Sequence, residues 1–347
     1  MSWLFGILQK RKLLSLEFNC EEEFQKAETD NFSFIISKNN HSTFLNTSQN
    51  KIQALVGIPI LDDKGKKKLF TNSDFKKPDL LQQEYLFGHF VFLNYSNNNL
   101  EIFNDTFGLR DLYYIDSEEQ FIFSTRIDLL SKYTSNSEIN SIEFSSLWLT
   151  NFQLSNNSIH QNIKRLGPAG KIIFNGSEIK ISNKKFEKNE IKNPHELFSE
   201  TIDSYSSIKN VDSKTISLGL SGGIDSRLIL ASLLNSENIF SCYSLVNEET
   251  NDLKISEKIC EIFSIEHKLI FRENLNIADR EQEIIQYYKT IPPVIPLTQL
   301  LDFGFYGKEY LSKFLLLDGG FGEFYRRQFL KKIFLKGYKI FSVDNFS

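Results

Sequence analysis

The chain has 347 residues, room for two domains of about 150 residues each. Hydrophobic residues make up 41% and charged residues 24%, with 32 phenylalanines, so there is apolar material for two globular cores. The net charge is −4 with no basic tail or stripe, which argues against a dedicated nucleic-acid binder, and no apolar run approaches a membrane span.

The stretch Met1 to Leu8 is too short and too early for a signal peptide. Residues 1–125 read as short strands joined by polar turns: Trp3–Gln9, Lys12–Phe18, Asn31–Ser37 and Lys51–Leu61. Glu21–Glu28 reads as a short helix. The run Lys64-Gly65-Lys66-Lys67-Lys68 is a solvated loop. Two hairpins follow, Gly88–Tyr95 with Leu100–Asn104 and Leu112–Ile115 with Gln120–Ser124. Apolar and polar residues alternate in several of these strands, the sign of a half-buried antiparallel sheet. Ile127–Lys132 and Ser141–Phe152 read as helices, with Ser141 as N-cap. Lys171–Phe174 and Glu178–Ser182 form another hairpin around Asn175-Gly176.

Near Asn183–Pro194 the chain turns charged and rich in Asn and Lys, so the boundary is drawn there: domains 1–190 and 191–347. A helix restarts the chain at His195–Ser207. Strands at Thr215–Leu220, Ile239–Val246, His267–Ile270 and Phe314–Leu317 then alternate with helices at Arg227–Leu234, Asp252–Phe263 and Ile277–Thr290. That alternation predicts a doubly wound parallel sheet, whose ligands bind beyond the carboxyl ends of its strands. Cys20, Cys242 and Cys260 show neither metal nor disulfide spacing. Cys242 and Cys260 fall on apolar positions and are expected to be buried; a reducing cytoplasm fits best. His41, His89, His160, His195 and His267 are scattered and form no ligand or triad pattern.

The chemistry concentrates at Ser221-Gly222-Gly223-Ile224-Asp225-Ser226, between an apolar strand and a helix. Unpaired amides at a helix start, with the dipole behind them, attract anions. The glycines allow close backbone approach, and Ser221 and Ser226 add hydroxyls. Asp225 would repel a phosphate unless Mg2+ lies between them. The stretch therefore reads as a nucleotide pyrophosphate loop rather than a plain capped turn. A second glycine loop, Asp318-Gly319-Gly320-Phe321-Gly322-Glu323, follows the strand ending at Leu317. With Asp225 it can gather two or three carboxylates around Mg2+ and a pyrophosphate leaving group. Tyr325-Arg326-Arg327 beyond it offers cations for phosphate, or else a solvated face. Asn104 to Tyr114 reads as strand, tight turn and strand, structural in purpose, with Arg110 paired to a carboxylate.

Together these stretches resemble the asparagine synthetase family. Ser221–Ser226 is similar, almost letter for letter, to its ATP pyrophosphatase loop. Asn104–Tyr114, with Phe123-Ser124-Thr125-Arg126, is similar to two of its amidotransferase segments. Leu166-Gly167-Pro168-Ala169-Gly170 is similar to its turn before the last hairpin, and Asp252 suits the acidic start of its second nucleotide-side helix. The resemblance spans roughly residues 85–335. It implies an α/β protein of two domains. The first would be an N-terminal antiparallel Ntn-type αββα sandwich of the type 2 glutamine amidotransferases. The second would be a doubly wound parallel sheet of the ATP pyrophosphatase (adenine nucleotide α-hydrolase-like) type. The implied activity is adenylation of a carboxylate (aspartate or another acid) by ATP, with release of AMP and pyrophosphate and attack by an amine. Ser221, Gly222, Gly223 and Ser226 would bind pyrophosphate. Asp225, Glu323 and Asp318 would hold Mg2+, with Asp225 and Glu323 the catalytic pair and Gly319 beside them. Leu220, Ser244 and Leu245 would receive adenosine.

Three departures shape the expectation. Ser2 stands where the family's nucleophilic cysteine would be, and no Arg-Gly-Pro-Asp stretch occurs in the first 60 residues. An N-terminal serine can serve as nucleophile, but a thiol suits glutamine hydrolysis better. The glutaminase half is therefore expected to be a scaffold. The loop at 318–323 is shorter than its family counterpart, with Glu323 replacing the usual aspartate. The family's long helical region is also missing after Ser347, so the second domain is expected to be incomplete. The partners implied are a small-molecule or peptide carboxylate and an amine donor, with no nucleic acid or membrane; a homodimer or second chain stays open. The rival readings are a nucleotide-binding scaffold that needs a partner chain, a related amide ligase of the β-lactam synthetase or peptide cyclase type, and a tRNA-modifying enzyme with the same loop, which the acidic balance disfavours.

Overall fold

The computed structural model describes residues 2–10, 22–38, 42–48, 50–63, 66–134, 138–150, 153–185, 193–206, 208, 215–236, 238–246, 248, 250–271, 281–282, 285 and 314–319. Of these, residues 2–145 and 153–185 fall in one compact unit, and 146–150, 193–282 and 314–319 in another, with the helix over 141–150 divided between the two.

The first unit is built from β1 (Leu4–Gln9), β2 (Phe24–Glu28), β3 (Phe32–Ser37), β4 (Thr43–Ser48), β5 (Lys51–Asp63) and β6 (Lys66–Leu69). After α1 (Asn72–Phe75) come β7 (Leu86–Ser96), β8 (Asn99–Asn104), β9 (Tyr113–Asp116), β10 (Gln120–Ser124), α2 (Ile127–Ser131) and α3 (Ser141–Thr150). The unit closes with β11 (Lys164–Arg165), β12 (Gly170–Phe174) and β13 (Ile179–Asn183). One sheet runs β11-β9-β10-β1-β3-β2; the other runs β13-β12-β8-β7-β5-β4, with β6 on β5. Every pairing within them is antiparallel.

The period of two decides which residues meet. Leu4, Leu8, Phe32, Phe34 and Phe123 of one sheet pack on Ala54, Val56, Val91, Leu93 and Ile172 of the other. The intervening residues Phe5, Ile7, Ile35 and Ile122 face away and are covered by Ile127, Leu129 and Leu130 of α2. Phe70, Phe75 and Leu81 cover Leu55, Phe90, Phe92 and Phe103 on the far side of the second sheet. All six residues of β1 are buried because both of its faces are covered.

Three expectations are corrected here. The helix read at Glu21–Glu28 is not found over the described residues 22–28: Phe24–Glu28 forms an edge strand on β3, since a segment this short has no apolar helical face and gains a ladder instead. The cap of α3 is Asn140, whose Oδ1 accepts from the Glu143 amide at 3.3 Å, not Ser141. The strand β4 had no sequence signal strong enough to register, and Lys66–Lys68, read as part of a solvated loop, belong to β6, which pairs with β5 and whose Lys67 and Lys68 meet Asp62 and Asp74. The strand read at Lys12–Phe18 and most of the helix read at Ile277–Thr290 lie outside the described residues.

The second unit contains α4 (Pro194–Ser206), β14 (Thr215–Gly219), α5 (Ile224–Asn235), β15 (Phe240–Val246), α6 (Asn251–Phe263), β16 (His267–Phe271) and β17 (Phe314–Leu317). Its strands pair parallel in the order β16-β15-β14-β17. Ile216, Leu218, Leu230, Leu233, Cys242 and Cys260 form its core. Both cysteines are buried free thiols, and burial raises each above its ordinary pKa. No helix among the described residues is long and apolar enough to cross a membrane.

Candidate functional site

In the second unit the chain leaves β14 through Leu220 and turns at Ser221–Gly223 into α5. Gly223 is the N-cap, in extended conformation, and the first intrahelical bond runs from the Arg227 amide to its carbonyl. The amides of Ile224, Asp225 and Ser226 precede that bond and so lack helical acceptors by construction. Ser226, nearly buried, organises the turn: its Oγ accepts from the Ser221 amide and lies within hydrogen-bond distance of the Ser221 and Gly223 carbonyls. The Ser221 hydroxyl accepts from the Gly223 amide at 3.1 Å. The two serines thus hold the loop open around the helix start, and Asp225 in the first turn complements the dipole.

Two further loops close on this turn. A Cβ on Gly222 would stand 2.5 Å from Asp252 Oδ1 and 3.0 Å from Asp252 Cα, so the start of α6 touches the glycine directly. Thr250 caps that helix, its hydroxyl accepting from the Leu253 amide. A Cβ on Gly319 would stand 2.8 Å from the Ser226 nitrogen and 2.9 Å from the Asp225 carbonyl carbon. Loops beyond the carboxyl ends of β14, β15 and β17 therefore meet at the N-terminus of α5, with Asp225, Asp252 and Asp318 around it. Among the described residues no group of three His, Cys, Asp or Glu side chains is arranged to hold a metal ion. Asp225 and Asp318 stand on adjoining loops, carboxylates of the kind that can share a Mg2+ with phosphate oxygens and water. Glu323, with Gly320 and Arg326-Arg327, lies outside the described residues.

The three positions assigned to adenosine differ. Leu245 is 40% exposed, an apolar surface at the carboxyl end of β15. Leu220 is buried, and its amide donates to the Tyr243 carbonyl at 2.9 Å. Ser244 is buried too, and its hydroxyl is spent inside the protein, donating to the Leu220 carbonyl at 2.7 Å.

In the first unit, the stretch 104–114 interlocks with 165–170. Asn104 Oδ1 accepts from the Gly170 amide (2.7 Å), and its Nδ2 donates to the Gly167 carbonyl (2.9 Å). Asp105 accepts from the amides of Phe107, Leu109 and Arg110. Gly108 has φ +65°, and a Cβ there would stand 3.0 Å from the Pro168 nitrogen. Asp111 accepts from the Gly167 amide and from Arg165 Nε at 2.5 Å. The structural reading of this stretch thus acquires its partners, while Asn104 and the Asp111–Arg165 pair had no signal in spacing alone.

The Arg110 guanidinium, expected on a carboxylate, donates to the Ser2 carbonyl at 2.5 Å. Burial lowers its pKa, while the nearby charge of Asp105 raises it. Burial raises Asp105, with its backbone hydrogen bonds working the other way. His89 is held down to about 4, first by burial and then by the Arg110 charge. Ser2 itself is 3% exposed, and its hydroxyl oxygen has no hydrogen-bond partner among the described residues. Trp3 beside it donates from its indole to Glu22 at 2.7 Å, under Arg126, which also pairs with Asp128.

Residues 80–187 match the family model of a glutamine amidotransferase domain, and residues 207–306 match that of asparagine synthase. A search of curated proteins found no match. Among solved structures, the chain is similar to the glutamine-dependent NAD+ synthetase from Acinetobacter baumannii in complex with ADP. Identity is 11% and the TM-score 0.27, over 58% of this chain and 48% of that one. It is similar also to the glutamine phosphoribosylpyrophosphate amidotransferase from B. subtilis complexed with ADP and GMP. There identity is 12% and the TM-score 0.27, over 80% of this chain and 64% of that one. The chain thus spans about half to two thirds of the length of these structures. Likenesses this distant carry no argument about the site.

Proposed function

We propose a function on the premise that this chain belongs to the asparagine synthetase family, an amidotransferase domain followed by an asparagine synthase domain. It is an ATP-dependent carbon–nitrogen ligase. It activates a carboxylate as the acyl-adenylate, releases pyrophosphate, and lets an amine displace AMP. The observation that carries this reading is the convergence of Gly222 on Asp252 and of Gly319 on Asp225 and Ser226. A pyrophosphate there meets the helix amides of α5 and the hydroxyl of Ser221, with adenosine beyond, over Leu245. Asp225 and Asp318, with Glu323, would hold Mg2+, which would supply positive charge against the departing pyrophosphate. In this reading residues 1–190 form an Ntn-type αββα domain and 191–347 an ATP pyrophosphatase domain, working in a reducing cytoplasm.

The glutaminase half is silent. A hydroxyl suits glutamine hydrolysis less well than a thiol, and Ser2 is buried with its carbonyl tied to Arg110, which supports this reading. The amine therefore arrives as ammonia or on a second substrate.

The test is release of pyrophosphate and AMP from ATP with Mg2+ and a panel of carboxylates. Carboxylate-dependent release is the expected outcome. ATP binding with no release for any acid would sink the ligase and leave the scaffold reading. Glutamine hydrolysis that disappears in Ser2→Ala, or appears in Ser2→Cys, would overturn the silent amidotransferase half.

A further inference from the structure

A chain of hydrogen bonds reaches the pyrophosphate loop from two strands away. His267 Nε2 on β16 lies 2.9 Å from Ser244 Oγ on β15. Ser244 Oγ donates to the Leu220 carbonyl at 2.7 Å. Ser256 Oγ, 3.1 Å from Ser244, gives its own proton to the Leu253 carbonyl at 2.8 Å. In the arrangement where Ser244 donates to the Leu220 carbonyl, His267 Nε2 is the donor to Ser244. Burial keeps that ring below its ordinary pKa, against the opposing charge of Glu257.

The chain ends on one particular peptide. The Leu220 carbonyl and the Ser221 amide share a single plane, and in a trans peptide they point in opposite directions. Holding the carbonyl aims the amide, and here it points to Ser226 Oγ at the helix mouth. The Leu220 amide is itself held by Tyr243, so the last residue before the loop is pinned to β15 at both of its polar groups.

We propose that His267 is a positioning residue for anion binding: through Ser244 and the Leu220–Ser221 peptide, whose amide donates to Ser226 Oγ, it fixes the Ser221–Ser226 frame of the loop that would receive the pyrophosphate of a nucleotide. This rests on the ligase reading of the loop, but it assigns a role to a residue and a strand outside it. A purely structural hydrogen bond would affect all ligands alike, whereas this one acts only on the phosphate end.

The experiment is calorimetric titration of the full chain with Mg2+-pyrophosphate, Mg2+-ATP and adenosine, with unfolding curves for each variant. His267→Phe and Ser244→Ala are expected to weaken pyrophosphate and ATP about fivefold, the worth of one net hydrogen bond, and to leave adenosine unchanged. His267→Gln, whose amide can donate in place of Nε2, should stay within about twofold of the parent. Unchanged pyrophosphate binding in both His267→Phe and Ser244→Ala would overturn the role, as would an equal loss for adenosine or a Gln variant as weak as Phe. A parent chain that binds neither pyrophosphate nor ATP would overturn the ligase reading first, and this role with it.

Discussion

Gly319→Ala is the sharpest perturbation the site allows. The added methyl would stand 2.8 Å from the Ser226 nitrogen, 2.9 Å from the Asp225 carbonyl carbon and 3.0 Å from Asp225 Cβ. None of these is the far end of a flexible side chain, so one loop must move off the other. Overpacking of this kind costs about 1–3 kcal/mol. If the strain falls on the bound arrangement, that is about a 5- to 150-fold loss in Mg2+-ATP affinity. Gly223→Ala is the matched control, since its φ is −71° and its Cβ would meet only Ser221 Oγ, at 3.1 Å. Titration with Mg2+-ATP, paired with urea unfolding, reads both terms. A Gly319→Ala protein with parental ATP affinity and parental stability would refute the convergence of these loops, and the nucleotide site with it.

Asp225→Asn should abolish the dependence of ATP affinity on Mg2+; retained dependence would remove Asp225 from the metal site. Asp111→Ala strands the largely buried guanidinium of Arg165 and two amides, a loss of about 2–4 kcal/mol in urea unfolding. A loss below about 1 kcal/mol would show that the interlocked loops do not depend on that pair. His89 has its pKa lowered from 6.5 to about 4 in the folded state, so the unfolded chain takes up the proton first. Stability should therefore fall as pH drops from about 6.5 to 4, by at most ~3 kcal/mol at about 1.4 kcal/mol per pH unit. His89→Gln should flatten that slope in pH-dependent thermal unfolding; an unchanged slope would assign it to other groups.

Much of the architecture could be read from residue order because it rests on local rules. Alternation along Gly88–Tyr95 and Leu100–Asn104 specified a hairpin, and Ser96–Asn99 its turn. The change to alternating strands and helices after residue 214 specified the parallel sheet. Where the local rule was weak, the reading failed: Phe24–Glu28 is a strand only because β3 offers an open edge.

The sequence alone determined that a glycine- and serine-rich turn opens a helix between β14 and α5, because glycine, serine and helix-start preferences act within six residues. Only the tertiary structure decided what that turn meets. Asp252 and Gly319 come to it from 30 and 93 residues downstream of Gly222 and Ser226. His267, dismissed as one of five scattered histidines, is aligned with it through Ser244 by strand register. Ser2 is buried just before β1, and its carbonyl is held by an arginine 108 residues away. Contacts of that range depend on how strands pair and how tightly a core closes, and residue order carries no direct record of either.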